Sequence, residues 1–285
     1  MSNFIEKAVK YAKENGINLI RVAEIDNGVT RYAECNRGNP CQNIYSVAKA
    51  FTMTAIGMVC DRGLLTVDEK VTDIFSDVLP DNMDKRWYDV SVDHLLTHTA
   101  GLHHGQLDID CIDINTIDTD DFLDLTLRTE LIYDPGTGHS YSDAAYYMLS
   151  RIVSAKTGEK MDDLLWRELF RPCGFREAAW SKCPHGYPMG ATGLYIYAED
   201  MAKLGQIYLD GGVYNGKRIV SEDWVNFALM RPYELAPHLE KSYAKGGMRG
   251  QLLMVIPDER RVVAWTGCDD NMGELDKIAE NCNEE

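Results

Sequence analysis

Ser46 and Lys49 stand three residues apart, in Ser46-Val47-Ala48-Lys49, at the head of an apolar run that continues through Phe51, Met53, Ala55, Ile56, Met58, Val59 and Cys60. On a helix, positions i and i+3 are neighbours, so the two side chains point the same way. A serine hydroxyl becomes a useful nucleophile when a nearby base takes its proton. Burial of an amine disfavours its charged form, which would make such a base available. The head of the helix adds unpaired N–H groups and the positive end of its dipole, both suited to an oxygen that gains negative charge. Lys49 is the only charge between Arg37 and Asp61, so it is either a costly buried ion or a working one. The pattern itself is loose. Ser-x-x-Lys arises about once by chance in a chain of this length, and a second copy, Ser242-Tyr243-Ala244-Lys245, has no apolar helix behind it.

Other stretches could also do chemistry. His94 and His98 sit four apart, with His103 and His104 close behind, a spacing that could hold a metal. No His-Glu-x-x-His accompanies them, and histidines at a helix end bonded to backbone account for the pattern more simply. Seven aspartates (Asp108, Asp110, Asp113, Asp118, Asp120, Asp121, Asp124) crowd residues 103–124. Cys111, Ile112 and Ile114 interrupt the spacing of a calcium loop, so a solvated loop with an apolar underside is expected, able to shape substrate choice if it lies near a site. Tyr141-Ser142-Asp143 follows a Pro135-Gly136-Thr137-Gly138 turn, and Lys245-Gly246-Gly247 precedes a strand-like run. Taken alone, Tyr141 fits a core tyrosine and Lys245 a solvated residue.

The elements that must position these residues are readable from spacing. Apolar residues on every side of 46–60 predict a helix buried all round, closed by Gly63. Phe4, Ile5, Ala8, Val9 and Ala12 predict a helix over 3–15. Two strands, Ile17 to Ile25 and Val29 to Cys35, flank Asp26-Asn27-Gly28, a strong hairpin signal. Ser91 starts a short capped helix, and helices are predicted after Tyr141-Ser142-Asp143 to Gly158, from Met161 to Phe170, Ala198 to Leu209, after Ser221, and from Glu274 to Asn281. Strands Gln251–Ile256 and Arg261–Thr266 close the chain. With strands at the two ends and helices between, the expected fold is α+β: an antiparallel sheet formed by the N- and C-terminal segments, flanked by helices, with an inserted mostly helical lobe. The 285 residues suit a single domain, with an α/β lobe of 1–70 and 215–285 and a helical lobe of about 71–214.

Composition narrows the partners. The formal charge is −16, which argues against nucleic acid and anionic membrane surfaces, because both need basic footprints; a small-molecule or peptide substrate fits. The N-terminal residues are charged throughout and lack the apolar core of a signal peptide, so a cytoplasmic protein is expected. In that compartment its eight cysteines should stay reduced, and none forms Cys-x-x-Cys.

In order, Ser46-Val47-Ala48-Lys49, Tyr141-Ser142-Asp143 and Lys245-Gly246-Gly247 resemble the three signatures of the serine β-lactamase and penicillin-binding protein superfamily. The tyrosine in the second signature resembles the branch of class C β-lactamases, D-Ala-D-Ala carboxypeptidases and esterases, as do Leu95-Leu96-Thr97-His98-Thr99-Ala100-Gly101-Leu102 and Glu199-Asp200-Met201-Ala202-Lys203-Leu204-Gly205. The resemblance implies that Ser46 is acylated, that Lys49 and Tyr141 share its proton, and that Lys245 meets a substrate carboxylate. It also implies that Asp143, Lys245, Gly247 and Met248 bind the substrate, with the Ser46 and Met248 amides as an oxyanion hole. No cofactor and no metal are implied. Two positions depart from the pattern. Asp143 stands where an asparagine is frequent, and Gly246 replaces a hydroxyl residue; both point away from a proficient β-lactamase toward an esterase, amidase or peptidase. Glu222-Asp223-Trp224-Val225-Asn226 superficially resembles a class A deacylation segment, but its place after Ser221 fits a helix start with acidic residues in the first turn. A ligand-binding or sensor module on the same fold, a D-Ala-D-Ala carboxypeptidase or β-lactamase proper, and a metal hydrolase using His94, His98 and His103 are the competing functions.

Overall fold

A computed structural model describes residues 2–231, 233–269, 272 and 274–282. The chain divides into two compact units: 1–47, 170–179 and 194–285 form one, and 48–169 with 180–193 form the other.

The first unit is built on a six-stranded sheet in the order Val29–Glu34, Leu19–Asp26, Arg261–Gly267, Gln251–Ile256, Tyr243–Gly247, Ala236–Pro237, with every pair antiparallel. The N-terminal hairpin turns at Asn27 (φ 46°) and Gly28 (φ 78°), the pair of left-handed residues that a tight two-residue turn demands. Helix Asn3–Glu14, capped by Ser2, lays Phe4, Ile5, Ala8 and Ala12 into a core with Leu19, Val22, Met254, Ile256, Val263 and Trp265. Helix Ala198–Leu209 packs on strands Leu19–Asp26, Gln251–Ile256 and Arg261–Gly267. It comes so close that a Cβ on Gly205 would lie 2.5 Å from Val262 Cγ1. Arg21, fully buried, donates to both carboxylate oxygens of Glu199 on that helix at 2.6 Å, a forked geometry that satisfies a buried charge.

The second unit is helical. Helix Ala48–Asp61 is buried from Ala48 to Val59 and packs against helices Asp143–Thr157 and Met161–Leu165. Its two buried threonines spend their hydroxyls on Gly190 O (2.7 Å) and Ala50 O (2.8 Å), so the all-round burial leaves both satisfied. Helix Asp143–Thr157 ends at Gly158 in the left-handed region (φ 75°), as a C-terminal glycine permits. Cys60, half-buried beside the last apolar turn, has its thiol pushed up to about 12 by burial, which disfavours the thiolate.

The α+β expectation, with a terminal antiparallel sheet and a helical insertion, matches this architecture. Its lobe boundaries do not. Helix Ala48–Asp61, placed by sequence with the 1–70 lobe, belongs to the helical unit, because its apolar sides face other helices. Residues 194–214, placed with the helical lobe, belong to the sheet, which helix Ala198–Leu209 covers. Among the described residues no helix is long and apolar enough to cross a membrane.

Candidate functional site

The residues singled out by sequence fall into two groups, one in each unit. In the sheet unit, strand Gln42–Asn43 pairs with Leu194–Ile196, and Asn43 Oδ1 accepts the Tyr45 amide at 2.9 Å. That bond holds Tyr45 at φ +47°, a left-handed conformation that costs a non-glycine residue roughly 1 kcal/mol. The distortion starts the tight turn Tyr45–Val47, which carries Ser46 and runs directly into helix Ala48–Asp61. Strand Tyr243–Gly247 lies against this turn. A Cβ on Gly247 would sit 2.5 Å from Ile44 O and 3.3 Å from the Ser46 amide nitrogen, so only glycine lets the strand end approach the serine backbone. Beyond it, the turn Met248–Gly250 bends through Arg249 at φ 58°. Buried Gln251 ties that turn down, donating to Gly267 O at 2.8 Å and to Met248 O at 3.3 Å, while Gly267 N donates to Gln251 Oε1. Sequence reading recognised Gln251 only as the start of a strand.

Lys245, on the same strand, forms an ion pair with Glu234. Glu234 is buried at 3% exposure and was not singled out by sequence. Its only signal there is that it stands as a lone charge in Tyr233-Glu234-Leu235-Ala236-Pro237.

In the helical unit, the Lys49 ammonium is fully buried and donates to Asp143 Oδ1 at 2.7 Å and to Ala191 O at 3.1 Å. It lies 4.6 Å from the centre of the Tyr141 ring and 5.7 Å from that of Tyr146, where ring faces favour a cation. Lys49, Tyr141 and Asp143, chosen from distant stretches of sequence, are thus brought together. Asp143 opens helix Asp143–Thr157, where the dipole favours its negative charge. The asparagine-to-aspartate departure therefore supplies a counter-charge to the buried lysine.

His98 braces this group. It takes φ +56°, and its Nδ1 accepts the Ser142 amide at 3.3 Å. Its carbonyl accepts the Ser140 amide at 2.9 Å and the Tyr133 hydroxyl at 3.3 Å. Its ring lies 4.3 Å from that of Tyr141. His94 Nδ1 accepts the Ser91 amide and Ser91 Oγ the His94 amide, a reciprocal helix cap. Both histidines thus serve backbone. Among the described residues, the carboxylates of Asp108, Asp110 and Asp143 form the group of three close acidic or metal-binding side chains, and no histidine joins it.

The aspartate-rich stretch splits in two. Residues 111–116 are solvated, and Ile112 and Ile114 face outward rather than forming an apolar underside. Asp110 turns inward and accepts a hydrogen bond from the Thr192 hydroxyl. Burial pushes its carboxyl up, neighbouring Asp108 and Asp143 add to that, and Thr192 and Lys49 oppose it. All eight cysteines stand unbridged.

Glu222 lies in the first turn of helix Glu222–Met230, where Ser221 Oγ accepts the Trp224 amide at 3.0 Å. The deacylation-segment look-alike is thus a capped helix start. Glu222→Gln is expected to leave ester turnover within about twofold of the parent; an acyl-enzyme trapped in this variant, seen by mass spectrometry, would sink that reading.

The chain is similar to several known proteins. Penicillin-binding protein 4 of Amycolatopsis lactamdurans is 28% identical over 220 residues, covering 65% of this chain and 55% of that protein. The 6-aminohexanoate-dimer hydrolase of Paenarthrobacter ureafaciens is 28% identical over 209 residues, covering 65% of this chain and 50% of its own length. This chain thus spans about half the length of these curated relatives. In fold it is similar to a penicillin-binding protein homologue from Caulobacter crescentus, with a TM-score of 0.72, 13% identity, and 95% and 92% of the two chains covered. Residues 22–273 match the Beta-lactamase family, a span that takes in every residue of both groups, and the chain therefore belongs to that family.

Proposed function

We propose that the chain is a serine hydrolase that works through an acyl-enzyme on Ser46, with an ester, amide or small peptide as substrate. The observation that carries this reading is the Lys49 ammonium, fully buried one helical turn after Ser46 in sequence, held by Asp143 and lying over the Tyr141 ring. Ser46 Oγ attacks the scissile carbonyl while its proton passes to the Lys49–Tyr141 pair, which acts as base in the form that lacks one proton. The Ser46 amide and the backbone at Gly247 and Met248 receive the developing oxyanion, at about 3 kcal/mol per donor. Tyr141 returns the proton to the leaving group, and water releases the acyl group. The relatives named for hydrolysis of an aminohexanoate dimer and for penicillin binding support acyl transfer at such a serine.

The test is labelling of the purified protein with a fluorophosphonate probe, mapping of the adduct by peptide mass spectrometry, and parallel assays with a chromogenic short-chain ester and a chromogenic cephalosporin. An adduct on Ser46 with ester turnover is the expected result. Failure of the folded protein to label removes the nucleophile and leaves a ligand-binding module on this fold. Cephalosporin turnover outrunning the ester makes the protein a β-lactamase proper.

A further inference from the structure

We propose that Glu234 is a specificity-determining residue that neutralises Lys245, so that the enzyme selects acyl substrates without a free carboxylate beside the scissile carbonyl. This rests on the Ser46 acyl-enzyme reading and narrows its substrate class.

The proposal rests on three observations in the sheet unit. Lys245 stands on the strand whose end, at Gly247, lies against the Ser46 amide. Its ammonium is the group that could draw in a substrate anion there. That charge is already matched: Lys245 is ion-paired with Glu234, and the side chains are only 14% and 2% exposed. Glu234 is held in place by the strand that follows it, since Ala236 and Pro237 pair with Ala244 and Tyr243 on the strand of Lys245. An incoming carboxylate would have to displace a buried carboxylate or meet a pair with no net charge, and like charges brought together are strongly disfavoured.

The second donor such an anion would use is also missing, and no steric reason explains it. A Cβ added at Gly246 would meet only Gln251 O and Leu252 Cδ1, both at 3.9 Å, which is ordinary contact. The position is exposed and has room for a serine, yet carries no hydroxyl. The neutralised lysine and the absent hydroxyl, which arise independently, thus both disfavour a carboxylate. Neutral esters and amides are the class that remains.

The experiment compares two thioesters that differ in one group: the benzoylglycyl ester of thioglycolic acid, which bears a free carboxylate, and the same compound as its methyl ester. The quantity measured is the ratio of kcat/KM for the two, with active sites counted by fluorophosphonate labelling. The wild-type enzyme is expected to favour the methyl ester by about tenfold or more, and Glu234→Gln to move the ratio toward the carboxylate by about tenfold. Gly246→Ser is expected to move it the same way by a smaller factor; it lies in open space, so it keeps the test decisive if the buried Glu234→Gln does not fold. A labelled wild-type enzyme that favours the carboxylate overturns this proposal alone, as does a folded Glu234→Gln enzyme with an unchanged ratio. Absence of labelling in the wild type takes down the acyl-enzyme reading and this one with it.

Discussion

Ser46→Ala is expected to abolish fluorophosphonate labelling and to lower ester turnover by at least about 10⁴-fold, while leaving the protein folded. On the proposed acyl-enzyme route, removing the nucleophile removes the covalent pathway altogether, and what survives is the contribution of oxyanion donors and substrate binding. Stability should move by no more than about 0.5 kcal/mol. Ser46 is only half-buried, and the bend that carries it is set by the Asn43 side chain and the left-handed Tyr45, neither of which needs the hydroxyl. Thermal melting and steady-state kinetics on the same preparation separate the two effects. Residual turnover above about 1% in a variant with unchanged melting would move the nucleophile elsewhere.

Lys49→Met is expected to cost both activity and stability. Loss of a proton carrier lowers turnover by about 10³-fold, within the range general acid–base groups supply. The stability loss has a different origin. Asp143 is 7% exposed and Lys49 is its ion-pair partner, so methionine fills the space and leaves a buried carboxylate without its counter-charge, at about 3–5 kcal/mol. In a chain of this size that lowers Tm by about 10 °C. Adding Asp143→Asn to Lys49→Met should recover part of the melting temperature, because the amide needs no counter-charge, and should recover none of the activity. A Lys49→Met enzyme turning over within tenfold of wild type would falsify the proton-carrier role.

The parts of the fold that were legible from sequence are those with local causes. Asp26-Asn27-Gly28 turns where a two-residue hairpin must, Ser91 caps its helix, and Gly158 ends another. The burial of Lys49 was legible too, because it stands as a lone charge in an apolar run. The remainder depends on partners far away in the chain. Asp110 and Thr192 are 82 positions apart, and nothing local marks which aspartate of a run turns inward. Glu234 sits in an unremarkable stretch and takes its meaning from a strand register. His98 was noticed as one of a histidine pair spaced for a metal, but its work is done through its backbone and Nδ1 on the stretch around Tyr141. A histidine ligand and a histidine brace look identical in sequence, and geometry tells them apart. The lobe boundaries failed for a related reason: the long strands and helices were read correctly, while strand Tyr243–Gly247 and the neighbour each helix would cover were not.

The order of strands in the sheet has a consequence for how the protein is made. Strand Leu19–Asp26 pairs on one side with Val29–Glu34, translated moments later, and on the other with Arg261–Gly267, translated about 235 residues later. At about 5–20 residues per second, that second edge waits roughly 10–50 s for its partner. During the interval it offers unpaired backbone groups between buried-type residues such as Leu19 and Val22, the kind of edge that recruits other strands. Ser46 keeps the same timetable. The strand ending at Gly247 reaches the central strands through Gln251–Ile256, so a chain stalled on the ribosome displays its serine without the strand that frames it. Synthesis of the strands from Tyr243 to Gly267 is therefore the step that switches the serine's surroundings on.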